Sequence, residues 1–208
     1  MSKATIPEAV AEARERLAVR ARREGLATVA YDTLDSPVGP LWIAMGPKGV
    51  AGIHFGKEPS EGELRRLVRL YGPGIVPDRR GAAALARELD EYFERRRREF
   101  DLPVDLGGLS AFHARVLRAL RRIPYGALTT YQRLARQAGN AKAPRATGRA
   151  VGSNPIPIVV PCHRVIASDG TLGGYGGGLP AKRALLALER GDVPPGGWPT
   201  RRGPPGKG

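Results

Sequence analysis

The stretch TYQRLARQAGNAKAPRATGRAVGS, residues 130–153, sets the character of the second half of the chain. Thr130 stands where a hydroxyl caps a helix start, and Tyr131 to Gln137 then reads as a short helix. Gly139-Asn140 stops it, because both residues tolerate turn conformations. Pro144 suits the first turn of a second helix, Ala143 to Val151, where a missing N–H costs nothing. Two short helices joined by a tight Gly-Asn turn predict a helix-turn-helix, although any helical domain offers such pairs. The second helix is small-sided, with Ala146, Gly148, Ala150 and Gly152, and it carries Arg145 and Arg149 one turn apart. A slim helix of this kind either presses its backbone into a nucleic-acid groove or packs tightly inside its own domain. The pattern alone leaves both open.

Upstream, Ser110 caps a helix with Phe112, Val116, Leu117 and Leu120 on one face, and Tyr125-Gly126 breaks it. Before that, the period changes. Val29–Thr33, Leu41–Met45 and Val50–Phe55 read as short strands separated by Asp35-Ser36-Pro37-Val38-Gly39 and Gly46-Pro47-Lys48-Gly49, which suits an antiparallel meander. Ser60 and Glu63 form a capping box ahead of Leu64, Leu67 and Leu70. A further helix is expected from Ala82 to Arg97. Residues 100–106 then alternate Phe100, Leu102, Val104 and Leu106 with polar positions, an extended stretch that Pro103 confines to a sheet edge. Residues 1–26 read as a charged helix with Pro7 near its start and Gly25 as its stop. The expected organisation is a helical extension (1–27), a small antiparallel-sheet α/β domain (28–107), a mainly helical domain (108–190) and a disordered, basic Pro/Gly-rich tail (191–208). The fold class is α+β.

A chain of 208 residues supports at most two compact domains. It holds 34 Lys and Arg against 20 Asp and Glu, a formal charge of +14. That excess attracts a polyanion and favours nucleic acid as partner. A membrane surface is the rival, but no basic amphipathic helix with an aromatic face is evident, and no segment reads as a span or secretory signal. A cytoplasmic protein is expected. One cysteine excludes an internal disulfide, and with three histidines it excludes a cysteine-rich zinc site. No cofactor or metal is expected.

That cysteine sits in Asn154-Pro155-Ile156-Pro157-Ile158-Val159-Val160-Pro161-Cys162-His163-Arg164-Val165, an apolar run stiffened by prolines and followed at once by a base and a cation. A thiol with an ordinary pKa of about 8.5 is only slightly ionised at neutral pH, so a nearby base matters for nucleophilic chemistry. Adjacency in sequence does not establish contact, since neighbours on an extended backbone point opposite ways. A buried cysteine beside a surface histidine fits the spacing equally well.

Taken together, these motifs resemble the O6-alkylguanine-DNA alkyltransferases. The Pro161-Cys162-His163-Arg164-Val165 core is that family's signature. Tyr125-Gly126, Tyr131 to Ala135, Arg145 to Pro155, the glycines around Tyr175, Lys182 and Leu185 to Glu189 extend the likeness over residues 108–190. Residues 28–107 agree in pattern with the family's smaller domain. The resemblance implies a winged-helix-like second domain whose helix-turn-helix enters the minor groove of double-stranded DNA. Cys162 would be the nucleophile, His163 its base through a water, Glu189 the partner orienting His163, and Asn154 a brace for the hinge. Tyr131 and Arg145 would displace the target phosphate and fill the gap left by the flipped base, with Ala146, Gly148, Arg149 and Ser153 also at the DNA. Tyr175, Gly176, Gly177 and Val165 would shape the base pocket, with Lys182 and Ser168 as further contacts. The implied reaction moves an alkyl group from O6-alkylguanine irreversibly to Cys162, with O4-alkylthymine a further candidate substrate, and the protein acts as a monomer. The alternative is a protein that recognises alkylguanine in DNA without transfer. His54 and His113 match no role in the resemblance and read as structural or surface residues.

Overall fold

The computed structural model describes residues 6–192, so the expected basic tail lies almost wholly outside the described residues. The chain opens with helix α1 (Ile6–Arg23), ended by Gly25 at φ 70°. Strands β1 (Val29–Leu34), β2 (Leu41–Gly46) and β3 (Gly49–Phe55) form the expected antiparallel meander, with Asp32 opposite Ile43 and Ile43 opposite Ile53. A fourth strand, β4 (Ile75–Pro77), runs parallel to β1 and gives the sheet order β3-β2-β1-β4. Its three residues, ending in Pro77, carry too little alternation to be seen in sequence.

Helix α2 (Glu61–Tyr71) begins as expected, with the Ser60 hydroxyl accepting from the Glu63 N–H at 3.2 Å. Glu63 does not complete the box, because its carboxylate is held by Arg66 at 2.8 Å. Helix α3 (Arg79–Phe93) starts three residues before the expected Ala82 and stops well before Arg97. Its start is set by Asp78, whose carboxylate caps the Arg80 N–H and also pairs with Arg22 of α1. With Ala18 fully buried, α1 is docked onto the sheet domain. The stretch 100–106 is a correction: it forms no strand and makes one parallel bridge, Val50 to Val104, through Val50 N–H to Pro103 O and Asp105 N–H to Val50 O.

The second half contains α4 (Ala111–Arg121), β5 (Thr129–Thr130), α5 (Tyr131–Gln137), α6 (Pro144–Gly152), β6 (Val165–Ile166) and α7 (Gly178–Arg190). Ser110 caps α4 and Thr130 caps α5, each side-chain oxygen accepting from the N–H three residues on, a contact that contributes about 1 kcal/mol. Gly139 takes φ 81° in the turn before α6, and Pro144 occupies that helix's first turn. β5 and β6 pair in parallel, Thr129 with Val165. One buried cluster runs from Leu41 and Ile43 of the sheet through Leu85, Leu89 and Tyr92 of α3 to Leu117, Leu134, Cys162 and Leu188. The two halves therefore share a core, and the cysteine is part of it.

Candidate active site

The segment from Asn154 to Arg164 is coiled rather than extended. The Asn154 amide donates to Val160 O at 2.8 Å and its carbonyl oxygen accepts from Ile156 N–H at 3.0 Å, closing the segment into a loop. Inside it Ile158 sits at φ 74°. A β-branched residue in that region costs about 1–3 kcal/mol and persists only when its surroundings impose it. Those surroundings include the first domain, since Ile53 N–H of β3 donates to Pro155 O at 2.9 Å. Cys162 then opens a single 3-10 turn, Cys162–Arg164, which turns His163 and Arg164 inward.

His163 is fully buried, so the reading of a surface histidine is excluded. Its Nε2 lies 2.8 Å from Glu189 Oε1 on α7. Glu189 also accepts from Tyr92 Oη at 2.8 Å, from Gly126 N–H at 2.9 Å and from Arg164 Nη2 and Nε at 2.7 and 2.9 Å. Burial alone would raise the Glu189 carboxyl, but hydrogen bonds from His163 and Arg164 outweigh it and hold the group ionised, well below its usual range. Burial pushes His163 below its ordinary value against the pull of Glu189, so the imidazole is neutral at pH 7. Neutral imidazole donates from one nitrogen only. With Nε2–H given to Glu189, Nδ1 is left as the acceptor, and it has no hydrogen-bond partner among the described residues.

Cys162 lines a cavity of about 200 Å³ with Asn154, Val151, Pro157, Tyr175 and Gly176. Burial raises its thiol to about 11, against smaller opposing effects from Asn154 and Lys182. At neutral pH Cys162 is thus a neutral thiol, not a pre-formed thiolate. The Tyr175 hydroxyl is buried with no hydrogen-bond partner among the described residues, and its ring stands edge-on to His163 and to Phe55 at centroid distances of 6.5 and 5.5 Å.

Other sequence-derived residues fall in three places. Arg145 and Arg149 are exposed on α6, beside half-buried Ala146 and Gly148, and Ser153 closes the helix through Oγ to Arg149 O at 2.8 Å. Tyr131 is half-buried, and a Cβ on Gly148 would meet its ring at 3.8 Å. Gly177, expected in the pocket, does not line the cavity; a Cβ there would strike the Phe55 ring at 2.8 Å. Val165, Lys182 and Ser168 do not line the cavity. Val165 is buried in β6; Lys182 is fully buried, its ammonium given to Val165 O at 2.6 Å and to Leu172 O; Ser168 is exposed in the following loop. Sequence reasoning missed Ile53, His54 and Phe55, which form a cavity wall from the first domain, and Tyr92 and Arg164, which complete the Glu189 cage. Arg164 was visible beside His163; nothing local marked Tyr92, 97 residues from its partner. Among the described residues no group of three His, Cys, Asp or Glu side chains converges as a metal site, and no helix is long and apolar enough to cross a membrane.

A buried cysteine opening on a small cavity, a histidine–glutamate pair behind it and an arginine-bearing helix pair beside it define a class of protein that uses one cysteine at a nucleic-acid surface. Two family profiles match, "6-O-methylguanine DNA methyltransferase, ribonuclease-like domain" over residues 29–106 and "6-O-methylguanine DNA methyltransferase, DNA binding domain" over residues 111–191. The chain belongs to the 6-O-methylguanine DNA methyltransferase family. A methylated-DNA–protein-cysteine methyltransferase of Mycolicibacterium paratuberculosis is 45% identical over 165 residues, 78% of this chain and 93% of that protein. One from Methanosarcina barkeri is 38% identical over 164 residues, covering 78% and 98%. The crystal structure of Mycobacterium tuberculosis OGT in complex with DNA aligns with TM-score 0.68 at 40% identity, covering 78% of this chain and 93% of that one.

Proposed function

We propose that the protein repairs DNA by direct reversal, moving an alkyl group from O6 of guanine to Cys162 in a single, irreversible event. The observation that carries this reading is the Cys162 cavity backed by the buried His163–Glu189 pair. In the transfer step the alkyl carbon exchanges its bond to O6 for a bond to Sγ. The electron pair stays with guanine, which takes up one proton as the thiol gives one up. His163 Nδ1 receives the thiol proton through a water, and Glu189 stabilises the imidazolium that forms. The product is a thioether, with no carbonyl for water to attack and no second cysteine to take the group on.

Exposed Arg145 and Arg149 with small Ala146 and Gly148 support α6 as the helix laid in the minor groove of duplex DNA. Readout there is largely degenerate, which suits a protein that must find a lesion in any sequence. Tyr131 turns the target nucleotide out, and Arg145 fills the space it leaves. The protein acts as a monomer, in the cytoplasm, on O6-alkylguanine and with O4-alkylthymine as a second substrate to be tried. Incubation with duplex carrying labelled O6-methylguanine should place one methyl per chain on the Cys162 peptide, and Cys162→Ala should bind DNA without accepting label. Label on the alanine variant, or several methyl groups removed per chain, would overturn the assignment.

A further inference from the structure

A larger cleft, of about 460 Å³, borders the same segment through Ile158, Val159 and Pro161 and shares no lining residue with the Cys162 cavity. Its rim carries Arg98 from the loop after α3 and Arg118, Arg121 and Arg122 from the end of α4, all exposed. Among the described residues none of these four lies within ion-pair distance of a carboxylate. The chain neutralises its structural arginines elsewhere: Arg22 by Asp78, Arg66 by Glu63, Arg97 by Glu91 and Asp101, and Arg164 by Glu189. Four rim cations face one lining carboxylate that has a side chain free to answer them, Glu99.

Beneath the rim, Phe100, Pro124 and Tyr125 contribute apolar surface to a lining that is otherwise largely polar. Phe100 packs at 5.4 Å centroid distance on Tyr92, and Tyr125 has the guanidinium carbons of Arg98 and Arg164 each 5.8 Å from its ring centre. Arginines interleaved with aromatic rings around a concavity are the arrangement that binds bases and phosphates together. The volume lies in the range of small-molecule sites, about 300–1,000 Å³. A duplex offers such a floor no base, because its bases are stacked inside.

We infer that this cleft binds a nucleoside phosphate, its base against Phe100 and Tyr125 and its phosphate on Arg118, Arg121 and Arg122, presented in a single strand of nucleic acid or as free nucleotide. The site is separate from α5 and α6, since neither Arg145 nor Arg149 lines it. It goes beyond the repair reading and does not depend on it.

The test is local footprinting of arginines with phenylglyoxal, read peptide by peptide by mass spectrometry on the full chain. The probes are a thymidine oligonucleotide of about eight nucleotides, within the ~4–16 spanned by one single-strand site, then dTTP and inorganic pyrophosphate. Severalfold slower modification of Arg118, Arg121 and Arg122 by the oligonucleotide alone assigns a strand; the same protection by dTTP assigns free nucleotide as well. No protection by either, or equal protection by pyrophosphate, overturns the proposal. As a second measurement, Arg118→Gln/Arg121→Gln/Arg122→Gln should lower the salt slope for the oligonucleotide by up to about 2, at ~0.7 per phosphate contact. It should still react with free O6-benzylguanine, which shows that it folds. An equal loss in the charge-matched Arg69→Gln/Arg79→Gln/Arg87→Gln protein, altered on exposed positions of α2 and α3, would also overturn it.

Discussion

Titrated against iodoacetamide, the native protein should alkylate at Cys162 at a rate that climbs about tenfold per pH unit from pH 7 to about pH 10. The reason is the thiol's position near 11, set first by burial. At pH 7.4 such a group is ionised in about one molecule in 4,000, whereas an ordinary cysteine near 8.5 is about 7% thiolate, a ratio of roughly 300. The more basic thiolate is intrinsically the better nucleophile, by about tenfold over this interval if a Brønsted slope of ~0.4–0.5 applies. The net expectation is a rate about 30-fold below that of a cysteine peptide at pH 7.4, before any hindrance from the cavity walls. Stopped assays at each pH, with Cys162 the only thiol present, give the profile directly; a parallel near-ultraviolet spectrum marks the pH at which packing is lost. A rate that levels off at or below pH 8 would mean that the thiolate is already formed at neutrality, and the inference of a protonated resting nucleophile would fail.

Replacing the proposed base, His163→Gln, should slow transfer from O6-benzylguanine by about 10²-fold or more while leaving oligonucleotide affinity unchanged; retained rates would remove His163 from the mechanism. Arg145→Ala should slow repair of duplex far more than reaction with free O6-benzylguanine, because only the duplex substrate requires extrusion at a cost of a few kcal/mol, and equal losses would contradict the role. Tyr92→Phe removes one donor to the Glu189 carboxylate and should cost about 1.5 kcal/mol, near the low end for a hydrogen bond to a charged group since other donors remain; urea unfolding with an unchanged midpoint would count against it. Stability should fall with acid. His163 and Glu189 both have folded values below their unfolded ones, so the unfolded chain takes up protons first, from about pH 6.5 for the histidine and about pH 4.3 for the glutamate. Half-buried His113 adds in the same direction, so the comparison is between the parent and His163→Gln, whose denaturation midpoints should depend less steeply on pH between about 6.5 and 5. Parallel curves would refute the linkage.

Local rules wrote much of the fold into the sequence. Ser60, Ser110 and Thr130 cap as their spacing indicates, and the three runs between turn signals pair as an antiparallel meander. Errors arose where tertiary partners decide. Asp78 starts α3 early because it serves two partners at once, the Arg80 N–H and Arg22. Residues 100–106 alternate like a strand, but only Val104 finds an edge to pair with. Cys162 and His163 could be named from the signature, yet the thiol's protonation follows from burial in a shared core, which no spacing records. Tyr92 and the His54 and Phe55 wall come from a part of the chain more than sixty residues away from the cysteine. Long-range contacts of this kind leave no period in the sequence.

The protonated cysteine makes sense for a reagent that is used once. An exposed thiolate at neutral pH would react with any small electrophile or oxidant, and each such event would remove a protein molecule as surely as a repair does. Burial keeps Cys162 as thiol, while the His163–Glu189 pair keeps an acceptor ready within the same core. Glu189 is held ionised by its hydrogen bonds from His163 and Arg164, so it can stabilise an imidazolium at the moment one forms without first losing a proton of its own. On the proposed mechanism the thiol becomes strongly nucleophilic only while its proton is leaving, which requires an electrophilic carbon already positioned in the cavity. Selectivity is thereby placed in the transfer step itself. If that is how the site works, Glu189→Gln should slow transfer from O6-benzylguanine without raising the iodoacetamide rate at pH 7.4. A faster iodoacetamide reaction in that variant would show that the glutamate restrains the thiol rather than serving the histidine.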